Sequence, residues 1–359
     1  MERFYIGTYT EPIRFGTGEI LQGKGEGIYT AEFDEKTKKL NVTGLIRGVK
    51  NPSYVAVSPD KTMVYAVNEL KEYKGEKSGS VSSFGIINEK GDLSFVSQAS
   101  THGQDPCHVA VCGEGRWIVA ANFMTGSVCS YGVEPDGTLM ETGFVQHEGS
   151  SIHPVRQKGP HAHSCIPIPG TKRVIIPDLG LDRLMVYEID ADGRLEFCEK
   201  EVYDCLPGSG PRFGEFCEEK DLLYVINELG SAISVLHYDR DEKRFEQIQQ
   251  ISTLPEECEN ICADLHMTPD RTFLYASNRG HDSITCFRVL DDGRLKWESN
   301  VSCGGKTPRN FAVARSGEYL LVGNQDTDEV VIFQIDRQTG RLTEVSRCQV
   351  PTPVCLCQV

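Results

Sequence analysis

The sequence predicts an all-β chain folded as a seven-bladed propeller, with four antiparallel strands in each blade. Three observations predict it. A sustained i, i+3, i+4, i+7 apolar pattern is missing, so amphipathic helices are not expected. Short β-branched and aromatic runs recur instead, cut by Asp-Gly, Lys-Gly and Pro-Asp turns. One hairpin pattern then repeats seven times along the chain: an alternating strand, an acidic turn, and a Leu or Phe that opens the next strand.

The hairpins cover 27–40, 79–93, 126–139, 182–195, 231–245, 282–295 and 328–342. A further strand precedes each one and ends in a polar residue, at Gly7-Thr8, Asn68-Glu69, Asn122-Phe123, Asp178-Leu179, Asn227-Glu228, Asn278-Arg279 and Asn324-Gln325. From Asn68 onward the spacing runs from 46 (324 − 278) to 56 (178 − 122), the range of four-stranded propeller blades. Upstream again lies a Pro-led strand, at Pro52, Pro106, Pro160, Pro211 and Pro308, with Ala263-DLHMTP in the sixth unit. The first unit has none at its N-terminus, but the chain ends in Pro353-VCLCQV. That strand is expected to complete the first blade, pairing both termini and sealing residues 1–359 as one domain.

Composition narrows the function. The 359 residues carry 52 acidic and 37 basic side chains, a formal net charge of −15, which argues against nucleic acid or an anionic membrane as a partner. No run approaches the ~18 apolar residues of a membrane helix, and the first residues lack the apolar stretch of a signal peptide. A cytoplasmic protein, monomeric or weakly dimeric, is expected. Of 14 cysteines, Cys107, Cys112, Cys129, Cys165, Cys217, Cys286 and Cys303 fall in expected strands, where free thiols pack as small hydrophobes. Cys355 and Cys357 form C-x-C, with no second pair to make a zinc ribbon. No metal or cofactor is expected.

In a propeller the first strand of each blade lines the central channel. Anchoring each copy on its turn aligns Ser53, Cys107, His163, Arg212, Ala263 and Arg309 at the entry to that strand. The residue after the Asn column gives another ring: Thr8, Glu69, Phe123, Leu179, Glu228, Arg279 and Gln325. The Asn column is uniform and reads as structural, its side chains closing Asx-type turns. The two rings vary, and they collect His163, Arg212, Glu228, Arg279 and Arg309 at one mouth. Guanidinium groups bind carboxylate or phosphate in a fork and stay charged when desolvated; a carboxylate or an imidazole can move a proton. A set of buried ion pairs, Glu228 with Arg212 or Arg279, fits the same spacing. His161 and His163 are expected to share a strand face. Gly208-Ser-Gly210 precedes no helix, so it reads as a tight strand entry rather than a phosphate loop. The loops 11–27 and 71–79 are expected at the rim.

The stretches GPHAHSC (159–165), DLGLD (178–182), GSGPR (208–212), VINEL (225–229), ASNRGHDSI (276–284), TPRNF (307–311) and GNQDTD (323–328) resemble the seven-bladed lactonase family, over essentially the whole chain and in order. That family includes propeller-type 6-phosphogluconolactonase and the fungal carboxymuconate lactonizing enzyme. The resemblance implies metal-free lactone chemistry, with His163 (or His161), Arg212, Glu228 and Arg279 as catalytic residues. Glu228 would take a proton from water and His163 would protonate the leaving ring oxygen. His161, Arg309, Glu69, Asn278 and Gln325 are expected to contact a small anionic lactone, 6-phospho-D-glucono-1,5-lactone first among them. A carboxymuconate-type cycloisomerase and a non-enzymatic interaction scaffold are the alternatives. Phe213 departs from the GPRH common in the family and removes a possible polar contact.

Overall fold

The computed structural model describes residues 1–15 and 18–359, and in it seven antiparallel sheets stand around a central channel. The first blade draws on both ends of the chain. From the channel outward it runs Pro353–Gln358, Glu2–Thr8, Gly27–Asp34 and Lys39–Arg47. Phe4 faces Gln358 and Ile6 faces Leu356 across the seal, as the sequence predicts. The other six blades each take consecutive strands. The second, for example, is Pro52–Val57, Met63–Asn68, Ser80–Ile86 and Leu93–Ser100. Their inner strands are Pro52–Val57, Pro106–Cys112, Ile166–Pro167, Pro211–Cys217, Ile261–Met267 and Pro308–Val313. No helix of the described residues is long and apolar enough to cross a membrane.

Strand alternation explains how the ring holds together. Successive side chains point to opposite sheet faces, and here both faces are covered by a neighbouring blade. Phe4 and Ile6 therefore pack on Leu321 and Ile332 of blade seven, while Tyr5 between them packs on Val64 and Phe84 of blade two. Each of the seven blade interfaces has its own apolar cluster of this kind. Each fully buried Leu, Ile, Val or Phe contributes ~1.5–3 kcal/mol, so cohesion is spread around the ring. Tyrosine hydroxyls stitch the blades further. Tyr5, Tyr224 and Tyr275 donate to the carbonyls of Gly91, Gly293 and Gly340, at 2.9, 2.8 and 2.8 Å. These three glycines sit at positive φ in the hairpin turn of the next blade, which a side chain would strain.

The Asn column is structural, as its uniformity suggests. The side-chain amides of Asn68, Asn122 and Asn324 donate to the carbonyls of Lys50, Thr101 and Cys303, at 2.7, 2.9 and 3.0 Å. Each ties the end of the second strand to the chain entering the same blade.

Three expectations need correction. The Pro-led strand of blade four shrinks to Ile166–Pro167, preceded by a single bridge between Ala162 and Asp178. The segment 159–165 is held by other means: Asp178 Oδ1 accepts the His161 N–H at 2.7 Å, and Pro177 O accepts the His163 N–H at 2.9 Å. Cys165 consequently lies just outside a strand, and Cys303 lies one residue past Leu295–Ser302; both are buried. The ring position assigned to Thr8 belongs instead to Tyr9. Thr8 takes the place of the Asn, fully buried and donating from Oγ1 to Gly27 O at 2.7 Å.

Candidate active site

The backbone that presents the site is a repeated irregularity. At Ser53, Cys107, Arg212 and Arg309 the ladder between first and second strands skips one residue, and in the closing strand it skips Val354. Such a bulge re-aims the side chain it carries. The residue before each leading proline (Asn51, Asp105, Gly210, Thr307 and Thr352) has positive φ. Its carbonyl accepts the N–H of Glu69, Phe123, Glu228, Gln325 and Tyr9 respectively. Two layers of side chains are thereby fixed at one mouth of the channel, one from the bulges and one from the ends of the second strands.

Above them is a cavity of about 660 Å³ lined by Glu69, Asp105, Cys107, Phe123, Arg156, His163, Glu228, Arg279, Arg309 and Gln325, among others. Residues 13–15 and 19–21 roof it with Ile13, Phe15 and Leu21. This roof includes the short pair Ile13–Arg14 and Ile20–Leu21 and packs on Tyr9 and Val354. Residues 16 and 17, within the expected rim loop, lie outside the described residues. Both ends of the roof are pinned. Asn51 Oδ1 accepts the N–H groups of Thr10 and Glu11 at 2.8 and 2.9 Å, and Thr352 Oγ1 accepts the Lys24 N–H at 3.0 Å. The other expected rim loop, 71–79, borders a separate cleft with Tyr73 and Lys74, although Lys71 forms an ion pair with Asp105. Beneath the cavity the channel is plugged by rings in series: Tyr54, His108, Phe213, His266 and Phe311, with successive centroids 4.0, 5.7, 5.6 and 5.1 Å apart. Phe213 belongs to this plug and is not among the residues lining the cavity.

Two glutamates at the same repeat position have opposite surroundings. Glu228 is 2% exposed and holds three guanidinium groups. Arg156 pairs with Oε1; Arg212 Nε and Arg279 Nη2 donate to Oε2 at 2.9 and 2.7 Å. Burial alone would raise its pKa, but Arg279, Arg156 and Arg212 hold it well below the usual carboxylate range. A carboxylate held so is a weak base, so the geometry is that of the ion-pair cluster. Burial, helped by Arg212 and Arg309 and opposed by Glu228, lowers the Arg279 pKa to about 10, so it stays charged at neutral pH.

Glu69 is 5% exposed. The Tyr9 hydroxyl donates to its Oε2 at 2.9 Å, and the Ser53 hydroxyl also favours its charged form. Burial pushes its pKa up, Arg309 opposes that, and Asp105 adds to it. Arg309 Nη2 lies 3.9 Å from Glu69 Oε2, and its guanidinium sits over the rings of Tyr9 and Phe15 at 5.4 and 5.9 Å. That guanidinium makes no side-chain hydrogen bond to the described residues, although it lines the cavity. Three more polar atoms of lining residues are buried without a hydrogen-bond partner among the described residues: Arg279 Nε, Asp105 Oδ1 and Gln325 Oε1.

The structure thus brings His163, Glu228, Arg279, Arg309, Glu69 and Gln325 to the cavity. Arg212 sits one layer below, donating also to Ala263 O. His163 and His161 do not share a face, because their segment is not a strand. His163 lines the cavity, whereas His161 stacks on Phe123 at 4.6 Å and bonds the Phe123 carbonyl through Nδ1 at 2.8 Å. Burial first, then Arg212, pushes the His163 pKa well below the usual range. It is therefore uncharged, without the extra proton a general acid would give. Asn278 is buried behind the mouth, its amide occupied by Thr253, Ser283 and Thr285. It belongs to the structural column. Arg156 escapes sequence reasoning because it lies in a connection outside the repeat. The one hint is the longest spacing, 178 − 122 = 56 residues, which leaves room for an insertion.

A family model described as "Lactonase, 7-bladed beta-propeller" matches residues 3–357. The chain is 33% identical over 357 residues to 6-phosphogluconolactonase of Bacillus subtilis, covering 98% of this chain and 97% of that one. Among solved structures it resembles a Bacteroides fragilis protein provisionally named 6-phosphogluconolactonase, with TM-score 0.90, 32% identity and coverage of 100% and 98%. It also resembles a periplasmic gluconolactonase of Pseudomonas aeruginosa, with TM-score 0.89, 29% identity and coverage of 100% and 99%. With the blades, the closing strand and the arginine-lined mouth in place, these likenesses identify the chain as a member of the seven-bladed β-propeller lactonase family, a hydrolase fold acting on lactone esters.

Proposed function

We propose that the cavity hydrolyses a sugar lactone, and that 6-phospho-D-glucono-1,5-lactone, opened to 6-phosphogluconate, is its substrate. The observation that carries this is Arg309, a guanidinium on a side chain 12% exposed that faces the cavity and makes no side-chain hydrogen bond to the described residues. Ester opening develops negative charge on the carbonyl oxygen, and preorganised donors aimed at that charge are commonly the largest catalytic contribution. Arg309, with the unpartnered Nε of Arg279, supplies such donors. The unpartnered acceptors Asp105 Oδ1 and Gln325 Oε1 suit sugar hydroxyl groups. Glu228 fixes Arg156, Arg212 and Arg279 in place. Arg14, exposed at the rim, is available to a phosphate. The relative named 6-phosphogluconolactonase supports the phosphorylated substrate; the gluconolactonase supports the unphosphorylated one.

Initial rates on freshly prepared phosphorylated and unphosphorylated gluconolactones, less the spontaneous rate, test the reading. Acceleration of the phosphorylated lactone with the higher kcat/KM is expected. Acceleration of the unphosphorylated lactone alone would move the substrate and keep the reaction. Turnover of a carboxymuconate without lactone hydrolysis would replace it.

A further inference from the structure

Lactone hydrolysis needs a proton acceptor beside the site of the oxyanion, and the two groups expected for proton transfer are poorly suited to accepting. Both oxygens of Glu228 are occupied by guanidinium groups. His163 is buried against the positive charge of Arg212. Asp105 carries an ion pair with Lys71. Glu69 remains. It lines the cavity, 3.9 Å from the one arginine of the cluster whose guanidinium makes no side-chain hydrogen bond to the described residues, and the groups that steady it by hydrogen bonding, Tyr9 and Ser53, are neutral hydroxyls.

We propose that Glu69 is the group that takes the proton from the attacking water. The inference rests on the lactonase reading above. The water oxygen bonds to the carbonyl carbon as one of its protons passes to the Glu69 carboxylate. The electrons of the C=O π bond move onto the carbonyl oxygen, which Arg309 faces. When the intermediate collapses, the C=O bond re-forms and the bond from carbon to ring oxygen breaks. The ring oxygen takes the proton back from Glu69, leaving a hydroxy acid and an ionised Glu69. One proton is borrowed and returned, and no other reagent is needed.

The charged and titratable groups facing Glu69 are Tyr9 from the first blade, Arg309 from the seventh, and Asp105 and Cys107 from the third. Burial raises the pKa of Glu69 above the ordinary carboxylate range, and Asp105 adds to this against Arg309. The ionised form is the active one. The rate should therefore be full at higher pH and fall as pH drops through this raised value. A base at Glu228 would keep the rate flat far lower in pH, because its pKa is depressed.

The experiment is the pH dependence of kcat/KM for the full chain on whichever gluconolactone it opens, in wild type, Glu69→Gln and Tyr9→Phe. Glutamine is close in shape to a protonated Glu69 and still accepts from Tyr9, so the variant is expected to fold; a melting curve checks it. The expected result is a wild-type acid limb above pH 4.5, a fall in kcat of about 10²-fold or more in Glu69→Gln with loss of that limb, and a limb moved to higher pH in Tyr9→Phe. A merely structural role would move none of these limbs. Wild-type acceleration with a Glu69→Gln variant that keeps both kcat and limb would overturn the inference alone. A wild type that accelerates no lactone would remove the lactonase reading and the inference with it.

Discussion

Glu69 and Glu228 follow the same Asn in blades two and five, yet one stands by a single guanidinium and the other by three. The sequence placed both in the ring but could not distinguish them. Arg156 comes from a connection outside the repeat, and the charge state of His163 depends on burial that spacing does not reveal. For Glu228 the consequence is stability. Removing one partner from a buried ion cluster leaves the others uncompensated and typically costs about 3–5 kcal/mol. Glu228→Gln is expected to show a loss of that order in denaturant titration at neutral pH. The sign with pH follows from the depressed pKa. The contribution of Glu228 is present above the unfolded carboxylate range and lost only as pH falls through the lower folded value. The stability gap between wild type and variant should accordingly persist through pH 5 and narrow in stronger acid. A variant as stable as wild type would mean that the arginines are held by other contacts.

The elements that set the site are the bulged inner strands and the roof. Turn anchoring found the bulge positions from sequence, since every copy keeps the same distance to its acidic turn. It slipped at Thr8, where Tyr9 takes the ring position and no Asn marks the end of the strand. It slipped again at 159–165, where carboxylate and carbonyl contacts of blade four replace the ladder that the Pro-led pattern suggests. The roof lies outside the repeat altogether, and only its tethering to Asn51 and Thr352 reveals its place. Phe15 is its most direct link to the chemistry, with its ring 5.9 Å from the Arg309 guanidinium. A cation–π contact contributes about 0.5–2 kcal/mol, so Phe15→Ala should lower kcat by about 2- to 30-fold. If Arg309 is positioned chiefly by Tyr9 and the bulge, kcat will change little. Steady-state kinetics on the lactone check it, and an unchanged kcat would show that the roof does not steady the guanidinium.

At the scale of the whole molecule the fold was open to reading because repetition multiplies weak signals. A single Asp-Gly turn says little, but seven copies in register define the ring and leave the C-terminal strand one place to go. The same repetition isolates function: Asn at the strand ends recurs because each blade needs it, whereas Glu, Arg and His interrupt the pattern around one mouth. Asn278 shows the limit, since adjacency to Arg279 in sequence does not put it in the cavity. The central claim is that the Arg309 guanidinium, which makes no side-chain hydrogen bond to the described residues, stabilises the charge formed when a sugar lactone opens. Its most direct test is kcat for lactone hydrolysis by wild type and Arg309→Ala at one pH, with melting curves for both. The account predicts clear acceleration by wild type and a fall of about 10²–10³-fold in the variant, with the fold intact. An Arg309→Ala protein that melts like wild type and keeps its full kcat would contradict it.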